Sequence, residues 1–331
     1  MAGSAGLQMR LMTLSDIPMP DDLNSQTGRT ILIAGPTASG KTATALSLAR
    51  LIEGAAEIVN ADAMQVYRDV PILSAQPTLA ERGDVPHHLF GYLEAADRCS
   101  AGRWARDAGM VLKKVWARGG AAIIVGGTGL YFRALTDGLS EIPDIPDEVK
   151  SAGQKRLSEI GVVAFRAEVL ARDPAMSWIK ENDLQRHLRA WEVVEATGRP
   201  LSAWQEDAPS PIVPVPEARI VLAPPREALY QRCNARFDQM MNHGALQEAE
   251  TLLAQGVSDD LPVMKALGAA ELMAHLRGDI SLLDDAIDRA KMNTRRLAKR
   301  QLTWFRNQTA DWPRVETSDQ AVQSLSAQLA V

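Results

Sequence analysis

Residues 35–42 read GPTASGKT and match the phosphate-binding P-loop pattern G-x-x-x-x-G-K-[ST] at every fixed position. In the longer stretch RTILIAGPTASGKTATALSLARLI, an apolar strand precedes this loop and a helix follows it. The pattern requires that order, because successive backbone N–H groups and the helix N-terminus then point at the anion. Lys41 would pair with phosphate oxygens, and Thr42 would hold Mg²⁺. We predict that the following residues bind a diphosphate or triphosphate: Gly35, Pro36, Thr37, Ala38, Ser39, Gly40, Lys41 and Thr42.

Short apolar strands alternate with helical patterns through much of the chain. Residues 57–60 and 121–125 have the composition of two further strands, and SAGRWARDAGMVLKKVWARGG between them has helical periodicity. One more apolar strand, RIVLA, follows the Pro-rich stretch APSPIVPVPEA. Such alternation predicts an α/β fold, in which a P-loop NTPase-like parallel sheet carries helices on both faces.

A helical segment interrupts this α/β pattern. Pro143 and Pro146 mark a linker, and residues from about 147 to 205 have helical patterns throughout. In NDLQRHLRAWEVVEATG, Asp183 is suited to cap a helix that ends at Gly198. We therefore predict three parts: a flexible N-terminal extension (residues 1–29), a catalytic core (30–145 and 210–315) and an all-helical insertion domain (146–209).

Composition excludes several classes of protein. The 331 residues are 46% hydrophobic and 23% charged, which is the balance of a soluble globular protein. The two cysteines, Cys99 and Cys233, lack C-x-x-C spacing and predict neither a paired-cysteine zinc site nor a disulfide framework. Since there is no apolar run of about 18 residues and no signal-peptide core, we expect a cytoplasmic protein without membrane segments. The net charge of −5 does not indicate a nucleic-acid binder, although a basic stripe can lie within an acidic total.

Polar residues follow the second predicted strand at once, and Asp62 is the most informative of them. Ligands of parallel α/β sheets bind beyond the carboxyl ends of the strands, so Asp62 should lie on the side of the P-loop. Its carboxylate has three roles open to it: a hydrogen bond to a ribose, a cap of a helix or turn, or a general base. The ribose role is weak because the glycine-rich loop is not G-x-G-x-x-G, whereas Asp is common in turns. Position alone favours the general base.

The ends of the other strands argue against an ordinary ATPase or kinase. Such enzymes hold Mg²⁺ with an acid at the end of another apolar strand. Here AAIIV is followed by Gly126, Gly127, Thr128 and Gly129, and RIVLA is followed by two prolines. Thr128 and the backbone amides of its loop suit a second grip on phosphate, and the glycines also suit a tight turn with φ > 0.

The segment NTRRLAKRQLTWFR twice places like charges four residues apart, once as Arg296 and Arg300. Each such pair costs about 0.2–0.5 kcal/mol in a helix. A partner with a phosphodiester backbone and stackable bases would offset this repulsion, but a solvated basic face needs no partner, and the segment alone favours neither. Other basic residues extend the pattern: Arg186, Arg189, Arg232 and Arg236.

Five motifs occur along the chain: GPTASGKT, NADAMQVY, VPHHLFG, IIVGGTGLYFRAL and TRRLAKRQLTWFR. In order and spacing they resemble those of the tRNA dimethylallyltransferases (tRNA isopentenyltransferases), from about residue 30 to residue 310. A P-loop alone is unspecific, but five motifs in register are specific. The resemblance implies Mg²⁺-dependent transfer of a dimethylallyl group from dimethylallyl diphosphate to N6 of the adenosine just 3′ of the anticodon in tRNA.

The resemblance also implies how the base is activated and held. Asp62 would accept the proton from N6, while Gln65 and its neighbours Ala63 and Met64 hold the flipped adenine. General-base catalysis of this kind typically contributes about 10²–10⁴-fold. The cost of extruding a base is lower in a loop than in a duplex, which suits an anticodon-loop substrate.

Charge that develops on the departing diphosphate would be stabilised by Thr128, Lys41 and Arg236. Arg232 and Arg236 share one helix face, so the sequence allows either to reach the phosphates. We prefer Arg236 because it precedes Phe237, as in the family pattern.

The implied tRNA contacts lie in both the core and the insertion. They comprise Asp62, Ala63, Met64, Gln65, Thr128, Lys150, Gln185, Arg186, His187, Leu188, Arg189, Arg296 and Arg300. The sequence departs from the family pattern at Ala63, where serine is usual, at Ala269, where an aromatic residue is common, and at His88, where arginine is frequent. The expected partners are the anticodon stem-loop of tRNA and dimethylallyl diphosphate, bound by a monomer.

Three other functions compete with this one. A P-loop kinase of small metabolites, in which Asp62 activates a hydroxyl, accounts for the P-loop but leaves the basic helices and the insertion unused. The RNA-contacting segments argue against an enzyme that prenylates free AMP. Intact Lys41, Thr42 and Asp62 argue against an RNA-binding module without activity.

Replacing Arg296 and Arg300 together by alanine should weaken tRNA binding and flatten its salt dependence. Each lost phosphate contact lowers the slope of log K against log[salt] by about 0.7–0.9, so we expect a total reduction of about 1.4–1.8. Binding titrations at several KCl concentrations measure this slope. An unchanged slope would show that the basic face is only solvated.

Overall fold

The computed structural model describes residues 28–52, 55–140, 142–207, 210–213 and 215–330. Most of the predicted flexible extension, residues 1–27, therefore lies outside the described residues. The last residue of that predicted extension belongs structurally to the core, because the Arg29 guanidinium pairs with the Glu217 carboxylate at 3.0 Å.

One sheet of parallel strands forms the centre of the core. Within the described residues it has six strands in the order β3-β2-β4-β1-β5-β6. The four central strands confirm the four that the sequence predicts, whereas the two edge strands have only two residues each, too few for a recognisable pattern. The strands are β1 (Thr30–Ala34), β2 (Ala56–Asn60), β3 (His87–His88), β4 (Ala121–Gly126), β5 (Ala218–Leu222) and β6 (Arg314–Val315).

Helices cover both faces of the sheet, as predicted. Side chains alternate along β1, so that Ile31 and Ile33 pack against α1 and α12, whereas Leu32 and Ala34 face α3, α4 and α8 to α11. No described helix combines the length and the apolarity needed to cross a bilayer. The helices are α1 (Lys41–Leu51), α2 (Leu79–Arg82), α3 (Ala101–Ala117), α4 (Gly129–Thr136), α5 (Asp147–Arg172), α6 (Leu184–Thr197), α7 (Leu201–Glu206), α8 (Arg226–Asn242), α9 (Ala245–Ala254), α10 (Ala269–Leu276), α11 (Leu283–Gln308) and α12 (Ser318–Leu329).

The core continues beyond its predicted end at residue 315. Helix α12 starts at Ser318 and buries Ala321 and Leu325 against the same face of the sheet as α1. A capping box begins the helix, since Thr317 and Gln320 satisfy each other's backbone N–H groups. The last segment of the chain therefore completes the covering of one sheet face.

The insertion between β4 and β5 is helical and has a hydrophobic core of its own, which includes Phe165, Val169 and Trp191. It consists of α5, a 3₁₀ turn at Pro174–Trp178, α6 and α7. The Asp183 side chain accepts the N–H of Arg186 and so caps α6, and Gly198 ends that helix with φ 68°. Both features agree with the sequence prediction.

The parallel register brings three loops to one end of the sheet. Ala34 pairs with Gly126 and Asn60 pairs with Val125, so β1, β2 and β4 end at nearly the same level. Gly126 has no room for a side chain, because a Cβ there would lie 2.0 Å from the carbonyl oxygen of Ala61. This contact holds the loops that follow β2 and β4 together.

Replacing Gly126 by alanine should lower the free energy of unfolding by about 1–3 kcal/mol or more, because two backbone segments must separate to admit the methyl group. Gly102 is a matched control, since a Cβ there would approach no heavy atom nearer than 3.7 Å and Gly→Ala in a helix is neutral or stabilising. Urea unfolding of both variants measures the difference. Equal stability of the two variants would contradict the close approach.

Candidate active site

The three loops beyond β1, β2 and β4 form the site, and Thr128 connects two of them. The Thr128 backbone N–H donates to the Ala61 carbonyl at 3.1 Å. Its hydroxyl oxygen accepts the backbone N–H of Ala63 at 2.9 Å. Because that oxygen acts as acceptor, the hydroxyl proton is free to point at a ligand. Thr128 therefore lies beside the loop that carries Asp62, as the motifs implied.

The P-loop has the backbone geometry of an anion cradle. Gly40 precedes α1 with φ 99°, and Ala38 adopts φ 61°, so the chain turns sharply and its N–H groups converge above the helix N-terminus. Lys41 begins α1, and its ammonium group donates to the carbonyl of Pro36 across the loop at 3.1 Å. Ser39 Oγ is buried and has no hydrogen-bond partner among the described residues. An unpaired buried hydroxyl is costly, so this cradle suits a ligand that accepts hydrogen bonds.

Two cations lie close to one carboxylate in the site. Burial lowers the pKa of Lys41 to about 8, while the charge of Asp62 acts in the opposite direction and that of Arg236 lowers the pKa further. Burial also lowers the pKa of Arg236, although Cys233 and Asp62 oppose the shift. The net positive charge of this cluster favours an anionic ligand.

Arg236 of α8 reaches the P-loop, whereas Arg232 is exposed. The Arg236 guanidinium donates through Nη2 to the Thr37 hydroxyl. Its Nε is buried without a hydrogen-bond partner in the described chain. A charged donor that is enclosed and only partly satisfied suits a phosphate oxygen. The structure therefore brings Arg236, rather than Arg232, into the cluster with Lys41 and Asp62.

Asp62 is held in a fixed turn. Its backbone N–H donates to Asn60 Oδ1 at 2.9 Å, and its Oδ1 accepts the N–H of Met64 at 3.0 Å. Buried Asn60 donates in return to the carbonyls of Asp62 and Leu89, both at 3.0 Å. The turn role that the sequence left open is thus present, but it uses one carboxylate oxygen. Oδ2 faces Gly127, where a Cβ would lie 3.4 Å away, and can accept a proton.

Gln65 is oriented by the loop that follows it. Both protons of its side-chain amide are used, since Nε2 donates to the carbonyls of Ser74 at 3.0 Å and Ala75 at 2.8 Å. Only the amide oxygen of Gln65 remains free, so Gln65 can accept a hydrogen bond from a nucleobase but cannot donate one to it. Ala63 and Met64 are half-buried between Asp62 and Gln65.

The predicted tRNA contacts of the insertion differ in exposure. Gln185 and Arg186 on α6 are exposed, and Arg189 is half-buried. His187 is buried, with its Nε2 3.1 Å from the Lys180 carbonyl oxygen, and Leu188 packs against the core of the insertion. Polar contact with a macromolecule is therefore open to the first three residues, whereas His187 and Leu188 support the helix.

The other predicted tRNA contacts lie on α5 and α11. Lys150 on α5 pairs with Asp147 at 2.7 Å. Arg296 and Arg300 are exposed and line an open groove along α11 with Lys299 and Trp304. The Trp304 ring lies against Gly129 at the start of α4, where a Cβ would be 2.2 Å from it. The basic groove of α11 therefore adjoins the loop that carries Thr128. Ala269, by contrast, is fully buried.

Sequence reasoning missed Gln301 of α11. Its side-chain oxygen accepts the Thr37 N–H at 2.9 Å, and its Nε2 donates to the Gly127 carbonyl at 3.0 Å. A signal was present, because Gln301 lies between buried Ala298 and buried Phe305 on one stripe of an amphipathic helix. A polar residue at an apolar position indicates a specific buried partner.

The residues present fit a magnesium ion carried by a phosphate ligand. Among the described residues, no three His, Cys, Asp or Glu side chains are grouped to hold a metal by themselves. Mg²⁺ commonly takes one or two protein ligands and completes its shell with phosphate oxygens and water. Thr42, half-buried in the first turn of α1, is a suitable hydroxyl ligand beside the phosphate cradle.

Comparison with known proteins decides the family. The family described as IPP transferase matches residues 65–308, and the family described as isopentenyl transferase matches residues 28–85. A tRNA dimethylallyltransferase of Caulobacter sp. (strain K31) is 50% identical over 288 residues, which cover 87% of this chain and 92% of the relative. This chain belongs to the tRNA dimethylallyltransferase family.

Solved structures of tRNA dimethylallyltransferases share its fold. A full-length tRNA isopentenylpyrophosphate transferase from Bacillus halodurans aligns with 91% of this chain and 97% of its own, at 32% identity and a TM-score of 0.65. A eukaryotic dimethylallyltransferase acting on tRNA aligns with 92% of this chain and 78% of its own, at 25% identity and a TM-score of 0.74. The predicted fold class, a P-loop NTPase-like α/β core with a helical insertion, is confirmed.

Binding of inorganic diphosphate should weaken as the pH rises above about 8, the pKa of Lys41. Below that pH the Lys41 ammonium group is charged and pairs with the anion. Above it, the neutral Lys41 amine must take up a proton before it can pair with the anion. The dissociation constant should then rise by up to about tenfold per pH unit. Titration calorimetry between about pH 7 and 9.5 measures the effect, and Lys41→Met should bind weakly and show only the pH dependence of the diphosphate itself. A constant wild-type affinity would exclude Lys41 as the titrating contact.

Proposed function

We propose that this protein transfers a dimethylallyl group from dimethylallyl diphosphate to N6 of the adenosine 3′ of the anticodon in tRNA, giving N6-isopentenyladenosine. Family membership supports the reaction. The observation that carries the site assignment is geometric: Lys41 and Arg236 both bond to the P-loop, and Asp62 Oδ2 borders Gly127 of the neighbouring loop. This arrangement provides a strong anion site with an acceptor for one proton.

The P-loop would hold the diphosphate. Its backbone N–H groups, the N-terminus of α1 and Lys41 supply donors and positive charge. The Ser39 hydroxyl and Arg236 Nε, both unpaired within the described chain, would gain phosphate acceptors. When bound beside Thr42, Mg²⁺ would neutralise charge on the diphosphate.

The reaction forms a bond between N6 and C1 of the dimethylallyl group and breaks the bond from C1 to the diphosphate oxygen. The electron pair of the broken bond leaves with the diphosphate, and N6 loses a proton. Asp62 Oδ2 would accept that proton, since Oδ1 is occupied by the N–H of Met64. Lys41, Arg236 and the Thr128 hydroxyl would stabilise the negative charge that develops on the departing oxygen.

Two basic surfaces would bind the tRNA. The groove of α11 carries Arg296 and Arg300 next to the site, and α6 of the insertion presents exposed Gln185 and Arg186. Phosphate contacts from such residues position the RNA, while the loop that contains Ala63, Met64 and Gln65 would hold the extruded adenine. The amide oxygen of Gln65 suits the exocyclic N6–H donor, because the amide protons are already used.

The ends of β4 and β5 do not supply the metal-binding acid of a P-loop kinase. A P-loop kinase needs a carboxylate at the end of another core strand to hold Mg²⁺. Here β4 ends in Gly126, and β5 is followed by Ala223, Pro224 and Pro225. Asp62, beyond the end of β2, is the acid that does lie at the site, and family membership favours prenyl transfer over phosphoryl transfer there.

A transfer assay tests the proposed reaction. Radiolabelled dimethylallyl diphosphate, Mg²⁺ and unmodified tRNA are incubated with the enzyme, beside parallel reactions with AMP and ATP. Label in tRNA alone is the expected result. ATP turnover without transfer of label would replace the proposal by a kinase-like activity.

Replacing Asp62 by alanine or asparagine should lower kcat by about 10²–10⁴-fold, because the proton acceptor is lost. Asparagine keeps the acceptor for the Met64 N–H, so the turn and the tRNA affinity should remain within a few-fold of wild type. Single-turnover transfer and tRNA-binding titrations measure the two quantities. Near-normal transfer by Asp62→Asn would exclude Asp62 as the base.

A further inference from the structure

Gln301 connects the P-loop to the loop that follows β4. The two loops start 92 residues apart in the sequence, and no backbone hydrogen bond of the described chain joins Thr37 directly to Gly127. The Gln301 side chain joins them, as acceptor for the Thr37 N–H and donor to the Gly127 carbonyl. Pairing of Ala34 with Gly126 aligns the starts of the two loops, and beyond the strands the Gln301 amide adds a hydrogen-bonded link from Thr37 to Gly127.

Asp62 lies at the same point. A Cβ at Gly127 would be 2.5 Å from Gln301 Nε2 and 3.4 Å from Asp62 Oδ2, so both groups border Gly127. Thr37 is also the residue that receives the Arg236 guanidinium on its hydroxyl. Gln301 thus contacts, directly or through one residue, the leaving-group side and the proton-acceptor side of the site.

Helix α11 holds Gln301 rigidly. Arg295 donates to Asn234 of α8 at 2.6 Å, and Lys291 pairs with Asp238 of α8 at 2.5 Å. On the other side, Trp304 packs against Gly129. Because α8 also carries Arg236, the helix that places Gln301 is fixed to the helix that places the buried guanidinium.

We propose that Gln301 is a positioning residue that sets the distance between the diphosphate site and Asp62 by clamping Thr37 to Gly127. The inference rests on the proposed transfer reaction. A shift of about 1 Å between reacting groups can cost about 10²-fold in rate, so loss of the clamp should affect turnover more than binding.

The chemistry requires an amide. One atom of the side chain must accept the Thr37 N–H and another must donate to the Gly127 carbonyl, and glutamine does both in its neutral state. Methionine has a similar shape but offers neither bond of comparable strength. An ionised glutamate accepts but cannot donate, whereas a protonated glutamate supplies both an acceptor and a donor.

Gln301→Met should lower kcat by about 10–100-fold. The KM for dimethylallyl diphosphate, the Kd for tRNA and the melting temperature should each remain close to wild type, the first two within about threefold. Gln231→Met is the matched control, since Gln231 is exposed on α8, and it should retain full activity. A kcat within threefold of wild type would overturn the proposal. Parallel losses in kcat, binding and melting temperature would also overturn it, because they indicate a role in folding only.

Gln301→Glu gives a second readout that a merely structural role would not produce. As the pH falls, the introduced carboxyl becomes protonated and restores the donor to Gly127. The ratio of variant to wild-type kcat should therefore rise by about tenfold or more between about pH 8 and pH 5.5, and taking the ratio cancels titrations that both enzymes share. A ratio that stays constant with pH would overturn the clamp.

The wild-type enzyme separates the two hypotheses. Transfer of label to tRNA by wild type, combined with normal kcat in Gln301→Met, rejects the clamp and leaves the proposed function intact. If the wild-type enzyme transfers no label under all of these conditions, the proposed function is rejected, and with it the role of Gln301 in that reaction.

Discussion

The close approach of Gly126 to the backbone of Ala61 is the constraint on which the site depends. Parallel pairing brings the carboxyl ends of β1, β2 and β4 to one level, and the missing side chain at Gly126 lets the loops after β2 and β4 touch. The bonds from Thr128 to Ala61 and from Ala63 to Thr128 then form. Without that contact, the loop that carries Thr128 and the loop that carries Asp62 would lie apart.

The electrostatics of the site couple its stability to its ligand. Partial removal of the half-buried Lys41 and Arg236 side chains from water is costly, and a single carboxylate, Asp62, offsets part of this cost. Burial accordingly lowers the pKa of both cations. A bound diphosphate would supply the missing negative charge, so it should stabilise the folded enzyme by a free energy that grows with the logarithm of its affinity. The same enclosed charge would stabilise that group as it departs.

Helix α11 carries both the basic groove and Gln301. Its outer side carries Arg296 and Arg300, its inner side buries Thr294, Ala298 and Phe305, and Gln301 meets the P-loop. Buried side chains along the length of α11 hold the helix in place against the core. In the proposed function, RNA bound on the outer side of α11 would be positioned by the same helix that places Gln301 against the P-loop.

Local pattern was enough to predict the central strands, the P-loop and the cap at Asp183, because each of these depends on residues close together in sequence. The family followed from the order and spacing of five such local motifs along the chain. Helix α12 was missed although its capping box at Thr317 was readable, and the edge strands were missed because two residues carry no periodicity. The family pattern had favoured Arg236, but only the tertiary structure shows that it contacts Thr37 of the P-loop, that His187 is buried, and that Gln301 joins Thr37 to Gly127. The contacts of Thr37 with Arg236 and Gln301 join residues 199 and 264 positions apart, and no local periodicity encodes such a distance.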